Sequence, residues 1–516
     1  MAEKQTIVIS KRLIAVNSAS SVLARILNIT VLVWMYQYLL KNIPAEEFAV
    51  YPVVTAIMVF APLFFAFLTS GVSRHIVDAY ARDDLEDVRR IISSIVPMLT
   101  AAAGLFLLGG LLFAAHIEQI LNITPSMVSD ARFMMALLVV SFSLQMFALP
   151  FATGYHVRQK FVELNLLGVA REMFRILLTL IFLLGIGAEV IWVVIANVTA
   201  ELIFQAVIVY RSLRMAPDIR FDRRLIDGPK ARSLLSFGLW TTLGRLGGMM
   251  YTNAATIMLN LHGSAVDVTS YFIGATLYRQ LDGMIGAATL PLQPALTALN
   301  ATQERRRLAS AVFRGGRYAL WFAMAVATPL MIYADVFIDL YIGEVYSDAA
   351  MIIVLFMIIY PFNKPTVLLP MTAMAMARVR EFFLPAFLFQ LFGLGLMYLF
   401  ATEFDMGAIG VTLALTIITI GSQLSYFWRL TFTLTETTLS DFARRVLAPG
   451  FAPALGGAVV WYALKLAAPI EGWIHLGLVS ALGGVAYLTV LFLFCLDEGE
   501  RGDLRHGLQK VGLASR

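Results

Sequence analysis

The chain has 516 residues, of which 59% are hydrophobic and only 14% are charged. A soluble domain has roughly 25% charged residues, so this composition excludes an ordinary soluble enzyme and indicates that lipid surrounds most of the chain. The single cysteine, Cys495, excludes an internal disulfide framework and a cysteine-based zinc cluster. The net charge is only +5, so the placement of the 39 basic residues is more informative than their excess over acids.

Fourteen apolar stretches are long enough to cross a membrane, since a bilayer core of about 30 Å needs about 20 residues per helix. In chain order they are predicted at 13–40, 48–72, 91–115, 131–151, 165–187, 189–210, 234–261, 268–297, 312–338, 349–376, 381–401, 407–428, 446–468 and 473–496. The longest connection runs from Arg211 to Ser233 and is too short for a folded extramembrane domain. The sequence therefore predicts an all-α polytopic membrane protein whose chemistry lies inside the bundle or at its mouths.

The amino terminus predicts the orientation of the bundle. Lys4, Lys11 and Arg12 precede an apolar segment that is too long for a signal peptide and has no small-residue cleavage site, so we expect an uncleaved first helix. With this end in the cytoplasm, the cytoplasmic connections and the two tails together hold 30 Lys and Arg, the opposite side holds three, and six lie within spans. The positive-inside rule then predicts a multi-pass protein with an even number of spans and both termini cytoplasmic.

The most basic connection divides the chain into two six-helix lobes and a final helix pair. The predicted parts are an N-lobe at 1–211, a basic cytoplasmic linker at 212–232, a C-lobe at 233–430, and the last two helices with a cytoplasmic tail at 431–516. An ungapped offset of 220 residues aligns Arg25 with Arg245 and Tyr51 with Tyr271. An arginine in mid-span is costly in lipid, so its recurrence indicates a parallel repeat with a substrate cavity between the lobes.

Three predicted spans carry a polar stripe with an arginine on one helical face. The stripes are Asn17, Ser21, Arg25 and Asn28 in span one; Thr242, Arg245, Met249, Thr252, Thr256 and Asn260 in span seven; and Arg279, Asp282, Gly286, Thr289 and Gln293 in span eight. An arginine at the bilayer centre costs about 2.5–3.5 kcal/mol on insertion scales, so we expect these stripes to line a hydrated cationic cavity. Arg25 and Arg245 have no acid in their own spans, which favours a ligand-binding role.

The remaining charges within spans leave structural alternatives open. Asp282 lies three residues after Arg279 and can pair with it, so binding and structural roles are equally open for that arginine. Folding spans five and six into a hairpin near residue 188 brings Glu201 level with Arg175, which predicts a structural ion pair.

Lys364 lies inside span ten between Pro361 and Pro365. A helix distorted by proline frees backbone groups to face a cavity. Functional and structural roles are equally open for this lysine.

Unpaired guanidinium groups indicate an anionic ligand, because their planar fork matches phosphate oxygens in pairs. A lipid-linked diphosphate has an anionic head that must cross the apolar core and a tail that can stay in it. The chain has no phosphate-binding loop of the G-x-x-x-x-G-K-[ST] type, and its six histidines form no i, i+4 pair. We therefore expect no nucleotide hydrolysis by that route, no metal, no cofactor, no catalytic residues and no nucleic-acid partner.

Five segments resemble the Wzx-type polysaccharide flippases of the MOP exporter superfamily, which also contains lipid II flippases and MATE exporters. They are Ile43–Tyr51, similar to the family's L-G-P-E-E-Y-G-x-Y; Asp267–Tyr271 with Leu290–Pro294; Leu340–Ala350; and Met406–Gly410, similar to Y-G-x-x-G. The resemblance implies twelve to fourteen helices in two lobes that move a polyprenyl-diphosphate-linked glycan to the outer leaflet. It also implies cavity arginines in helices one and eight, which Arg25 and Arg279 match. Two departures are Ala49 in place of a glycine and uncharged residues around Thr256 in place of an aspartate.

We therefore hypothesise a non-enzymatic flippase for a lipid-linked oligosaccharide in the bacterial inner membrane, working by alternating access, with polysaccharide polymerase and chain-length machinery as further partners. A MATE-like cation or drug antiporter, a membrane glycan polymerase or ligase, and a non-transporting scaffold are the alternatives. The expected site comprises Arg25, Arg245 and Arg279 for the diphosphate, Lys364, Arg175, Asn28 and Thr252 as secondary cavity residues, and Glu201 or Asp282 for coupling to protons or membrane potential.

Overall fold

The computed structural model describes residues 30–62, 65, 76, 84–158, 160–217, 219–228, 253–289, 292–467, 469–497 and 499–501. These residues belong to two compact units, Met1–Leu261 and His262–Arg516. Within the described ranges all regular secondary structure is helical and no strand occurs. The division into lobes predicted from the basic connection stays a prediction.

The first unit contains one helix described from residue 30 to 42, another described from residue 253 to 262 at the boundary of the unit, and five long helices between them. These are α1 (Ala45–Met58), α2 (Leu85–Ala115), α3 (Pro125–Thr153), α4 (Phe161–Gly185) and α5 (Val190–Met215). The second unit contains α6 (Ala265–Thr289), α7 (Gln293–Ala301), α8 (Arg305–Ile332), α9 (Ala334–Ile342), α10 (Asp348–Ala375), α11 (Val379–Thr402), α12 (Gly407–Thr435), α13 (Leu439–Ala467) and α14 (Trp473–Cys495).

Eight helices in the described part of the chain are long and apolar enough to cross a membrane, or nine if α8 and α9, bent by 74°, form one broken span. The all-helical polytopic fold predicted from composition is confirmed, while the number fourteen stays a prediction. Six of the fourteen predicted spans have no counterpart among the eight. Besides the bent pair, two of these six, α4 and α6, are long helices in the described part of the chain. Charged residues within them lower their hydropathy, and these include three candidate site residues, Arg175 in α4 and Arg279 and Asp282 in α6.

The beginnings of the two units follow the same pattern 220 residues apart. One helix ends at residue 42 and the next begins at Ala45, and in the second unit the corresponding positions are 262 and Ala265. The buried positions recur at the same offset: Met35, Tyr36, Leu39 and Leu40 in the first unit, and Ala255, Thr256, Leu259 and Asn260 before the second. This agreement supports the parallel repeat inferred from the sequence.

The described part of the predicted basic linker is packed against α2. Ala216 and Ile219 are buried in an apolar cluster with α2 residues. Two backbone N–H groups of the same segment donate to side chains of α2, Asp222 to Ser93 Oγ and Asp227 to Ser94 Oγ, both at 2.9 Å. The segment is therefore held by the first unit along its path, although its composition resembles that of a free loop.

The last two helices make an extended interface with α8. Arg317 donates to the carbonyl of Arg445 at 3.0 Å, Trp321 Nε1 to that of Pro449 at 2.8 Å, and the Tyr333 hydroxyl to that of Trp461 at 2.7 Å. Each pair is separated by 128 residues, which shows that α8 and α13 run side by side in the same direction. The Tyr487 hydroxyl of α14 donates to the carbonyl of Trp321 at 2.7 Å. Hydropathy alone does not show what the last two helices contact. These bonds show that α13 and α14 pack against α8 along much of the length of α8.

Candidate functional site

A buried lysine and a half-exposed aspartate connect α6 and α10. Lys364 Nζ donates to Asp282 Oδ1, and the two side chains are 6% and 45% exposed, respectively. Lys364 begins a 3₁₀ turn, Lys364–Thr366, which interrupts α10. Pro361 and Pro365 account for this break, as the sequence predicted, since each lacks a backbone N–H. The break directs a charged side chain from one apolar helix to a carboxylate on another.

Aromatic rings surround the lysine on the α10 side. Lys364 Nζ lies 5.0 Å from the centre of the Tyr360 ring. Tyr360 stacks on Tyr278 at 5.3 Å, and Tyr278 stacks on Phe356 at 5.0 Å. The Tyr360 hydroxyl donates to the Tyr278 carbonyl at 2.9 Å. The stack holds α10 against α6 and places a π face beside the ammonium, which favours a cation.

The two tyrosines were missed by the sequence analysis, although a signal for them exists. Tyr278 and Tyr360 each precede a charged residue of the pair, Asp282 and Lys364, by four positions. Residues four apart lie on the same face of a helix. Because the spacing is the same on both helices, the aromatic contact and the ion pair lie one turn apart. The order of these two contacts shows that α6 and α10 run in the same direction.

Arg279 has no carboxylate partner among the residues that the structure describes. Its Nη2 donates to Thr276 Oγ1 at 3.2 Å, and its guanidinium lies 5.7 Å from the centre of the Phe272 ring. The predicted alternative was an ion pair with Asp282, but that carboxylate is bonded to Lys364. Arg279, Lys364 and Asp282 together carry one more positive than negative charge.

The charges of α4 and α5 form a separate, balanced network in the first unit. Arg171 Nη1 donates to Glu201 Oε2 at 2.9 Å, and Arg175 donates to Glu172 Oε2 at 3.0 Å. The predicted pairing of Glu201 with Arg175 is therefore wrong, and Arg171 takes that place. Positions one turn apart share a helical face, so hairpin geometry did not distinguish them, and Glu172 next to Arg175 supplies the nearer acid. Two arginines and two glutamates neutralise each other here.

The other predicted site residues lie outside the described residues. They are Arg25, Asn28, Arg245 and Thr252. Within the described ranges, no cluster of three or more His, Cys, Asp or Glu side chains could hold a metal ion.

Two segments that carried the family resemblance meet in the second unit. Asp267 Oδ2 accepts from the Ser264 N–H at 2.9 Å and so caps the start of α6, while its Oδ1 accepts from the Ala408 N–H at 2.9 Å at the start of α12. Gly407 has a φ of +50°, and a Cβ there would overlap the Asp267 carboxylate. The glycine of the Met406–Gly410 motif is thus required by a close approach to the aspartate of the other motif.

Comparisons with known proteins agree with this architecture. The family model described as "Polysaccharide biosynthesis protein" matches residues 12–299. No curated protein sequence matches the chain. Among solved structures, the lipid II flippase MurJ in an inward closed conformation is similar at a TM-score of 0.69 and 14% identity, covering 93% of this chain and 98% of that one. An inward-facing MATE family multidrug resistance transporter of the MOP superfamily is similar at a TM-score of 0.63 and 16% identity, covering 80% and 98%.

A third similar structure is a mutant of the Vibrio cholerae MATE transporter VcmN, at a TM-score of 0.56 and 13% identity, covering 82% of this chain and 98% of that one. All three solved proteins are flippases or transporters by name, and none is an enzyme. At identities this low, structural similarity shows a shared fold and not a shared family. The family is shown by the family model, which covers more than half of the chain. The chain is therefore a multi-pass membrane protein that belongs to the polysaccharide biosynthesis protein family and has the fold of the MOP superfamily flippases and transporters.

Proposed function

We propose that the protein is a flippase that moves a polyprenyl-diphosphate-linked oligosaccharide across the bacterial inner membrane for polysaccharide biosynthesis, as Wzx-type proteins do. Both termini are cytoplasmic in this proposal, as the distribution of basic residues predicts. The family and the flippase fold support this class of substrate. The observation that carries the proposal is a guanidinium without a described carboxylate partner, Arg279, on a helix that also holds the ion pair to Lys364.

The charge pattern selects an anionic ligand. An arginine within a membrane protein needs a counter-charge or water. Among the described residues, the half-buried Arg279 contacts a hydroxyl and an aromatic ring and no carboxylate. A diphosphate offers several oxygens to a planar guanidinium, which binds such groups in bidentate fashion. We propose the same role for Arg25 and Arg245, with Asn28 and Thr252 beside them, since both arginines occupy equivalent positions of the repeat.

The network of α4 and α5 has a different role in this proposal. Glu201 and Arg175 are each bonded to an opposite charge, Arg171 and Glu172 respectively. Ion pairs with matched charges hold a helix hairpin together, and this supports a structural role in place of ligand binding or ion coupling. The coupling role then falls to Asp282 alone among the predicted acids.

The test is translocation by Arg279 variants in a strain that depends on this protein for its surface polysaccharide. We expect Arg279→Ala to leave lipid-linked glycan in the inner leaflet and to lower translocation at least tenfold, because a lost charged hydrogen bond to phosphate is worth about 1.5–3 kcal/mol. Arg279→Lys should recover only part of the activity, because an ammonium does not reproduce the bidentate fork.

The matched control is Arg132→Ala. Arg132 is half exposed and pairs with Glu118 near the start of α3, so its loss should leave translocation unchanged. Full activity of Arg279→Ala at normal protein levels would contradict the proposal. Export of small organic cations from vesicles, unaffected by the lipid-linked glycan, would instead indicate the antiporter.

A further inference from the structure

The exposure of the Asp282–Lys364 pair is unequal. The Lys364 side chain is 6% exposed and the Asp282 side chain is 45% exposed. A buried ammonium needs an anion beside it, because an uncompensated buried charge is strongly unfavourable. Asp282 supplies that anion from the accessible side. Another oxyanion that arrives from that side offers the ammonium the same kind of acceptor.

A buried hydrogen-bond acceptor next to Lys364 has no described partner. The neighbouring Asn363 has a buried Oδ1 without a hydrogen-bond partner among the described atoms. Buried acceptors are nearly always bonded, so an orphan requires an explanation. A hydroxyl of a bound ligand would provide the missing donor.

The second cation lies on the same helix as the aspartate. Arg279 precedes Asp282 by three residues and is not neutralised by any carboxylate that the structure describes. If Asp282 leaves Lys364, its place can be taken by one phosphate oxygen while Arg279 holds another. The charge of the cluster is then balanced by the ligand and the aspartate together.

We propose that Asp282 is an internal counter-ion, which occupies Lys364 in the empty protein and is displaced from it by the diphosphate of the substrate. This inference rests on the proposed function. The apparent affinity for the diphosphate is the intrinsic affinity multiplied by the fraction of the protein in which Lys364 is free of Asp282. When Asp282 returns to Lys364, it favours release of the diphosphate head group. The pair therefore lowers the affinity for the substrate and speeds its release.

The experiment is a titration of the full-length protein in nanodiscs of neutral phospholipid with geranylgeranyl diphosphate, with geranylgeraniol as the uncharged match. We expect Asp282→Asn to bind the diphosphate about ten times more tightly than wild type, a factor that corresponds to about 1.4 kcal/mol. Translocation by this variant should be slower than that of wild type, because release is impaired. The double variant Asp282→Asn/Lys364→Met should lose the gain in affinity.

Asp335→Asn is the matched control. Asp335 accepts from Lys465 Nζ at 2.7 Å in the same unit and is 64% exposed, so it is also an aspartate bonded to a lysine from another helix. Its variant should leave the affinity unchanged. An equal gain in both variants would indicate a general effect of removing negative charge and would overturn the inference.

A wild-type measurement covers the case in which Asp282→Asn does not fold. A hydrophobic carbodiimide should label Asp282 more when geranylgeranyl diphosphate is bound, because the carboxylate is then released from Lys364. Unchanged or reduced labelling would overturn the inference.

The two proposals fail in different ways. Binding of the diphosphate by wild type, with no gain in Asp282→Asn, would remove the counter-ion role and leave the flippase proposal intact. Absence of diphosphate binding in both proteins would remove the proposed function itself.

Discussion

Replacing Glu500 with Gln tests how the short segment after α14, at residues 499–501, is held against α8. The Glu500 carboxylate is 2% exposed and pairs with the Arg317 guanidinium, which is 10% exposed. Arg317 also donates to the Arg445 carbonyl at 3.0 Å and lies 3.4 Å from an Asp497 carboxylate oxygen. The substitution keeps the size of the side chain and removes its charge.

The expected loss of stability follows from what Arg317 retains. Breaking a buried ion pair costs about 3–5 kcal/mol when the remaining charge has no other partner. Arg317 keeps the contacts to Asp497 and Arg445, so the loss should approach the value of one charged hydrogen bond, about 1.5–3 kcal/mol. Solvent screens the pair little, because both side chains are buried.

The assay is denaturant unfolding of the purified protein in detergent micelles, followed by tryptophan fluorescence. Trp321 reports locally, since the Arg317 guanidinium lies 5.3 Å from the centre of its ring. Glu436→Gln is the control, because the Glu436 side chain is 67% exposed and its carboxylate lies as far as 3.9 Å from Arg305 Nε, so this pair is weak. A decrease in the free energy of unfolding no larger than that of the control would refute the conclusion that burial makes the Arg317–Glu500 pair strong.

Two further predictions concern packing and pH. Gly316→Ala should lower the free energy of unfolding by about 1–3 kcal/mol, because the added Cβ would overlap the Pro365 carbonyl. Gly421→Ala is the control, because no atom lies within 4 Å of a Cβ added there. It should lower the free energy of unfolding far less in the same assay. The hydrogen bond from Arg132 holds the pKa of Glu118 below its ordinary value of 4.5, so the pair stabilises the protein above that pH and the contribution is lost as the pH falls through the lowered pKa. The melting temperature of Glu118→Gln should therefore depend less on acid than that of wild type, and an unchanged acid limb would show that the pair contributes nothing.

Hydropathy predicted some of the described helices closely and others less so, since the span predicted at 312–338 crosses the bend between α8 and α9. The span predicted at 349–376 is observed as Asp348–Ala375, and the span at 473–496 as Trp473–Cys495. The reason is that a membrane-crossing helix must satisfy its own backbone and cover itself with apolar side chains. Both requirements are local, so they can be read from a single stretch of sequence.

Ion-pair partners were predicted less well. Arg175 was placed opposite Glu201, whereas Arg171 is the partner. Pairing of Asp282 with Arg279 was left open, and the structure shows Lys364 as the partner of Asp282. Helical spacing identifies which residues share a face, but it does not fix the height and rotation of a neighbouring helix. A shift of one turn, about 5.4 Å, is enough to exchange one charged partner for another.

The sequence by itself determined the class of protein, the approximate positions of many of the described helices and the break in α10. These follow from composition, apolar run length and proline, which act over a few residues. Only the tertiary structure decided that Lys364 meets Asp282 across 82 residues, that Arg279 is left without a described acid, and that the last helix pair is bonded to α8. Such contacts depend on how separate helices pack, because residues distant in the chain meet only when the bundle assembles.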